Sequence, residues 1–152
     1  MIRIVLRLIL NSFFLIIFVL SLAKIAHSKT LLTCADPVGK SFYFAGGVVP
    51  KKDEGWHNDG ITGGKFSLVI SGNKFDILFF DLTGEIKSSR AEGAQLFPLG
   101  NNKINFSFLV NYKNKTSEIF TFDMVNKKLT FSQHKYGNDL VNKRSLMTAN
   151  CY

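Results

Sequence analysis

From Ser41 onward, apolar side chains fall on alternate positions. Phe42 and Phe44 open the pattern, Phe66, Leu68 and Ile70 repeat it, and Phe75, Ile77 and Phe79 follow. The longest run is Ile104, Phe106, Phe108, Val110 and Tyr112; Phe120, Phe122 and Met124, then Leu129 and Phe131, complete the series. Successive side chains of a strand point to opposite faces, so each set lines one face and leaves polar residues on the other. Phe, Ile, Val, Tyr and Thr also suit a pleated surface.

Turn chemistry separates the runs. Ser71-Gly72-Asn73 joins 65–71 to 74–81, and Asp81-Leu82-Thr83-Gly84 reads as a type I turn with Gly84 left-handed. Gly100-Asn101-Asn102, Lys113-Asn114-Lys115 and Asn126-Lys127-Lys128 close later hairpins, and Gly137-Asn138-Asp139 starts the last loop. No sustained helical spacing interrupts them. The pattern predicts an all-β, single antiparallel domain of about eight or nine strands, folded as a small lipocalin-like barrel or a two-layer sandwich.

Ahead of this domain the pattern changes. Arg3 and Arg7 precede the apolar run Phe13-Phe14-Leu15-Ile16-Ile17-Phe18-Val19-Leu20, and Ala26-His27-Ser28 places small residues at a cleavage site. This is the pattern of a signal peptide over residues 1–28, leaving residues 29–152 as the domain. The protein is therefore expected to be exported, periplasmic or secreted. An uncleaved segment would act as a membrane anchor, although its apolar core is short of the ~20 residues of a spanning helix. Lipidation at Cys34 is disfavoured because Lys24 and Lys29 interrupt the approach to it.

Export changes the meaning of the two cysteines. Cys34 and Cys151 form an isolated pair, which in an oxidising compartment reads as a disulfide tying the two ends of the domain. There is no Cys-x-x-Cys to imply redox work. Charge changes the picture less. The chain carries a net +8, and removal of Arg3, Arg7 and Lys24 leaves +5. Lys113, Lys115, Lys127, Lys128, Lys135, Lys143 and Arg144 crowd the last third, but hairpin topology puts the 113–115 and 127–128 turns at opposite ends of one strand. Without a basic face studded with aromatics, no nucleic-acid partner is expected. Lysines at tips and edges also guard β-proteins against edge pairing.

Candidate chemistry concentrates in Lys51–Lys65, read as one long loop. It holds the single tryptophan, Trp56, beside His57, three carboxylates and four glycines. As a binding loop, Trp56 offers a flat apolar face while His57 and Asp59 supply hydrogen bonds; as ordinary structure, Trp56 covers the open end of the core. Gly60-Ile61-Thr62-Gly63-Gly64-Lys65-Phe66 mimics a phosphate loop but lacks its spacing and leads into a strand. Calcium and zinc registers are missing too, so no metal and no cofactor are expected. A Gly-x-Ser-x-Gly elbow is absent, and His134 reads as a polar residue at a strand end. The acceptor patterns Asn105-Phe106-Ser107 and Asn114-Lys115-Thr116 read as incidental.

Cys34-x-x-Pro37, Gly55-Trp56-His57-Asn58-Asp59-Gly60-Ile61, Phe75-Asp76-Ile77-Leu78-Phe79-Phe80-Asp81 and Ser145-Leu146-Met147 with Cys151 together resemble a group of small exported proteins of alphaproteobacteria. That group carries no assigned activity, so the resemblance brings no functional residue. In plan, a β-domain with cysteines at both ends is similar to periplasmic inhibitors of C-type lysozyme. Their inhibitory loop is not found here, and a mature charge of +5 repels a basic lysozyme. The expectation is a monomeric, non-catalytic protein that binds a small molecule or an envelope component. The alternatives are an interaction module or hydrolase inhibitor, or an enzyme whose site assembles only in three dimensions.

Overall fold

A computed structural model describes residues 28–80, 84–102, 104–113, 115–137 and 140–152. The export segment before Ser28 lies outside these residues, as do Asp81-Leu82-Thr83 of the predicted turn and Asn114 of the second acceptor pattern. The described chain is all β, in ten strands of one antiparallel sheet curled into a half-barrel. They are β1 (Ser28–Tyr43), β2 (Gly55–Gly60), β3 (Lys65–Ser71), β4 (Lys74–Phe80), β5 (Ile86–Ser88), β6 (Gln95–Asn101), β7 (Asn105–Tyr112), β8 (Thr116–Asp123), β9 (Lys128–Lys135) and β10 (Lys143–Cys151). The strand order is β5-β4-β3-β1-β10-β9-β8-β7-β6, with β2 added on β1. One continuous curled sheet replaces the sandwich of two separate layers.

The curl begins in β1. Asp36 takes a positive φ of 50° and Pro37 follows it, and the register with β10 shifts between Ala35 and Val38. A bulge of this kind bends the strand and increases its twist. Before it, residues 28–35 pair with β3; beyond it, Val38–Tyr43 pair with β2 on the same edge. The peptide link between β2 and β3 is pinned to the bulge, where Asp36 N donates to Gly64 O, Ile61 N to Pro37 O, and Gly63 N to Asp36 Oδ1. Gly39, just past the bulge, lies against β10 so closely that a Cβ there would meet Leu146 O at 2.0 Å.

β3, β4 and β5 thus form a wing folded over the main sheet of β7 to β10. Phe66 of the wing meets Phe120 and Phe131 at 5.3 and 5.2 Å between ring centroids, and Phe75 meets Phe106 and Phe108 at 5.5 and 5.2 Å. Leu32, Leu68, Ile77, Phe122 and Leu129 fill the space between. Burying one such side chain fully is worth about 1.5–3 kcal/mol. Cys34 and Cys151 stand opposite one another in the β1–β10 register and form the expected disulfide, at a sequence separation of 117. Closing a loop of that size stabilises by about 4–5 kcal/mol in the chain-entropy model.

Two expectations need correction. The segment 51–65 is not one loop, because Gly55–Gly60 is the strand β2, aligned residue by residue with β1. Phe42 is half-buried with its ring against the exposed Trp56, while the alternate residue Ser41 is buried. The core-facing positions at this end of β1 therefore go to Ser41 and Tyr43, and the aromatic alternation marks the outer face.

Candidate functional site

The inner face of the sheet is apolar at one end and polar at the other. One transverse row runs Phe108, Phe120, Phe131, Met147, Gly39 across five strands. The next row is Val110, Glu118, Gln133, Ser145, Ser41, His57, and the one beyond it Tyr112, Thr116, Lys135, Lys143, Tyr43, Gly55. Register alone therefore collects two polar rows from residues scattered over the chain.

A cavity of about 300 Å³ opens where these rows run past the end of the wing. Phe66, Phe79, Phe80 and Ile61 wall it from the wing side, with Phe131 and Tyr112 on the main sheet. Its polar lining is Glu118, Gln133, Thr116 and Lys135. The volume is at the small end of ligand sites, and the mixture of aromatic wall and few polar groups is typical of them.

Glu118 is the chemical centre of this cavity. It sits on the core face of β8, in line with Phe120 and Phe122, and is only 8 % exposed. Gln133 Nε2 donates to Glu118 Oε1 at 2.7 Å, and the Tyr112 hydroxyl also reaches the carboxyl. Burial dominates over both and pushes its pKa up to about 7. Tyr112 is raised in turn, by burial first and then by the Glu118 charge. Its hydroxyl donates to Ser89 Oγ at 3.0 Å. The single phenolic proton serves either Ser89 or Glu118, so the protonated acid, acting as donor to Tyr112, satisfies the whole chain.

None of the three residues expected to bind lines this cavity. Trp56 is on the outer face, 63 % exposed, edge-on to Phe42 at 5.6 Å. His57 is exposed, with Nε2 2.9 Å from Asp53 O and its ring 5.7 Å from that of Tyr43. Asp59 is half-buried and Oδ2 receives three donors: Ser41 Oγ at 2.6 Å, Tyr43 OH at 2.8 Å and Lys143 Nζ at 3.1 Å. Ser145 donates to Ser41 at 2.7 Å behind them. Burial raises the Asp59 pKa, but these hydrogen bonds and the Lys143 charge outweigh it and hold it at about 2. Tyr43 is pushed up to about 12, by burial first and then by Asp59. Period two explains the separation: Trp56 points away from His57 and Asp59 because a strand alternates. His134 is exposed on β9, paired with Arg144 and Ser117.

No family model, curated protein or solved structure matches the chain. Among the described residues, no three or more His, Cys, Asp or Glu side chains converge as metal ligands. Neither His57 nor His134 lines the cavity, so among the described residues an acid–base pair there would have to be Glu118 with Tyr112 or Lys135. Sequence reasoning passed over Glu118, yet a signal existed. In Thr116-x-Glu118-x-Phe120-x-Phe122, the acid shares the parity of two core phenylalanines, which places a carboxyl inside.

Proposed function

We propose that this is an exported, non-catalytic binding protein that holds a small molecule in the cavity between the wing and the main sheet. The observation that carries the reading is the aromatic-walled space with one buried carboxyl at its polar end. The Cys34–Cys151 disulfide supports an oxidising compartment, as does the signal pattern in residues 1–28. Among the described residues no helix is long and apolar enough to cross a membrane. Native mass spectrometry of protein isolated from its own cells tests the reading. A co-purifying mass lost on denaturation is the expected result; a bare protein mass that stays unchanged when candidate small molecules are added overturns it.

A second reading, an interaction module, draws on the outer face. Trp56 stands exposed beside Phe42, whose ring meets Phe44 at 4.9 Å, and Arg144 lies over Phe44 at 5.4 Å. Such exposed aromatic and arginine side chains are the types enriched at protein interfaces. A photo-crosslinker placed at position 56 and activated in living cells separates the two: reproducible capture of one protein species favours this face over the cavity.

A further inference from the structure

We infer that the cavity ligand is a small organic cation, an ammonium group on an apolar body, with the ammonium against Glu118 and the body against Phe66, Phe79, Phe80 and Phe131. The inference rests on the cavity being the binding site and goes on to name the chemistry that fits it.

Three observations point the same way. The carboxyl is buried at the polar end of the cavity, and the two side chains that hydrogen-bond it, Gln133 and Tyr112, are both neutral. A carboxylate has about four acceptor sites, and with the Tyr112 proton given to Ser89 the one neutral donor Gln133 leaves both charge and acceptor capacity for a ligand. The wall is built of aromatic rings, whose faces attract a cation within about 6 Å. The chain itself already uses one of these rings in that way, since Lys65 Nζ lies 5.4 Å from the centroid of Phe80.

Other charged groups around Glu118 do not take this place. Lys135 on β9 lines the cavity beside Thr116, but it remains half-buried and Gln133, not Lys135, holds the carboxyl. From the wing, Lys65 is engaged by Phe80, and Asp76 acts on Tyr112. The net positive charge, +5 once residues 1–28 are removed, slows the approach of any cation, so recognition falls to these local contacts. An anionic ligand would meet Lys135 favourably but would have to neutralise Glu118 before seating its head beside it. A neutral apolar ligand suits only the protonated carboxyl and would lose affinity as Glu118 ionises, the opposite pH sense to a cation.

The test uses three probes of one shape on the protein isolated from its cells: benzylammonium, benzyl alcohol and benzoate. Glutamate carboxyl carbons are observed by NMR, where the chain has four glutamates and Glu118→Gln identifies the relevant signal. Benzylammonium is expected to shift the Glu118 signal, to lower its titration midpoint, and to bind about tenfold or more tighter at pH 8 than at pH 5. Glu118→Gln is expected to erase the preference for benzylammonium over benzyl alcohol. If benzyl alcohol or benzoate binds as tightly as benzylammonium at pH 8, the cation assignment is overturned while the cavity reading stands. If none of the three perturbs Glu118, Phe66 or Phe131, the cavity reading falls and this inference with it. Should the variant fail to fold, the pH contrast in the unmodified chain makes the same decision.

Discussion

Glu118 and Asp59 are two carboxyls on the inner face of one sheet, separated by β9, β10 and β1, and their environments drive them in opposite directions. Asp59 has Ser41, Tyr43 and Lys143 on a single oxygen, with Gly60 N donating to the other at 2.8 Å, and its pKa is held at about 2. Glu118 has neutral partners and is more deeply buried, and its pKa rises to about 7. Four donors, one of them charged, make Asp59 a finished structural joint between β1, β2 and β10. Glu118 lines the cavity with only neutral side chains hydrogen-bonded to it, so its ionised form has no cation bonded to it. A buried acid left in that condition is costly to keep, which is the reason to read it as a site.

The largest consequence concerns stability against pH. Between about 4.5 and 7 the folded protein holds a proton on Glu118 that the unfolded chain releases. Its contribution is therefore complete below pH 4.5 and lost as pH rises through 7, on the order of 3 kcal/mol in all. Denaturant titrations across pH 4 to 9 are expected to show this decline, and Glu118→Gln is expected to flatten it, leaving the variant more stable than the unmodified chain at pH 8. A decline that persists in the variant assigns it to another group.

Asp59→Ala comes next. It leaves Lys143, Ser41 and Tyr43 without their common acceptor and is expected to cost about 2 kcal/mol at pH 7, read as a lowered denaturation midpoint. The Asp59 contribution has the opposite pH sense. Its pKa is depressed, so the stability is present above 3.8 and disappears as pH falls through about 2. Because solvent reaches this group, the acid limb should amount to less than the ~2 kcal/mol that the shift alone implies. Loss of that limb in Asp59→Ala, with the neutral limb intact, would show that the two carboxyls act independently.

Trp56→Ala should do least. The side chain is mostly exposed, so the expected change in stability is about 0.5 kcal/mol or less, with binding in the cavity unchanged. Unfolding of that variant would make the outer-face contact with Phe42 part of the core.

Much of the fold was legible because most strands bury large residues on one face. The runs that became β3, β4, β7, β8 and β9 carry the alternation, with Val69 and Glu118 as its buried exceptions, and Gly84 does take a positive φ, of 81°. β10 was hidden because its inward residues include Ser145 and Ala149 while Leu146 faces out, reversing the usual contrast. β2 was hidden because none of its six residues is an aliphatic side chain, and its partner face is a polar network rather than a core. The first half of β1 was obscured by Asp36 and Pro37, whose bulge breaks the period at the bend. Of the site, the walls Phe66, Phe79, Tyr112 and Phe131 could be listed as core residues from parity, and Phe80, next to Phe79, could not. The cavity itself could not, because it depends on the wing ending two rows before the main sheet does, and that offset is set by the bulge in β1 and not by any single motif.

The meeting of β1 with β10 also governs the order of assembly. β1 is made early, yet its partners include a strand 117 residues away at the disulfide, and the half-barrel has no inner face until that strand arrives. A contact of such sequence separation is slow to form and leaves hairpins β3–β4 and β7–β8–β9 to fold first as local units. Cys34 and Cys151 come within reach only when β10 has docked along β1. Their oxidation thus seals a finished sheet rather than steering its formation, and until then β1 waits as an unpaired edge exposed to other chains.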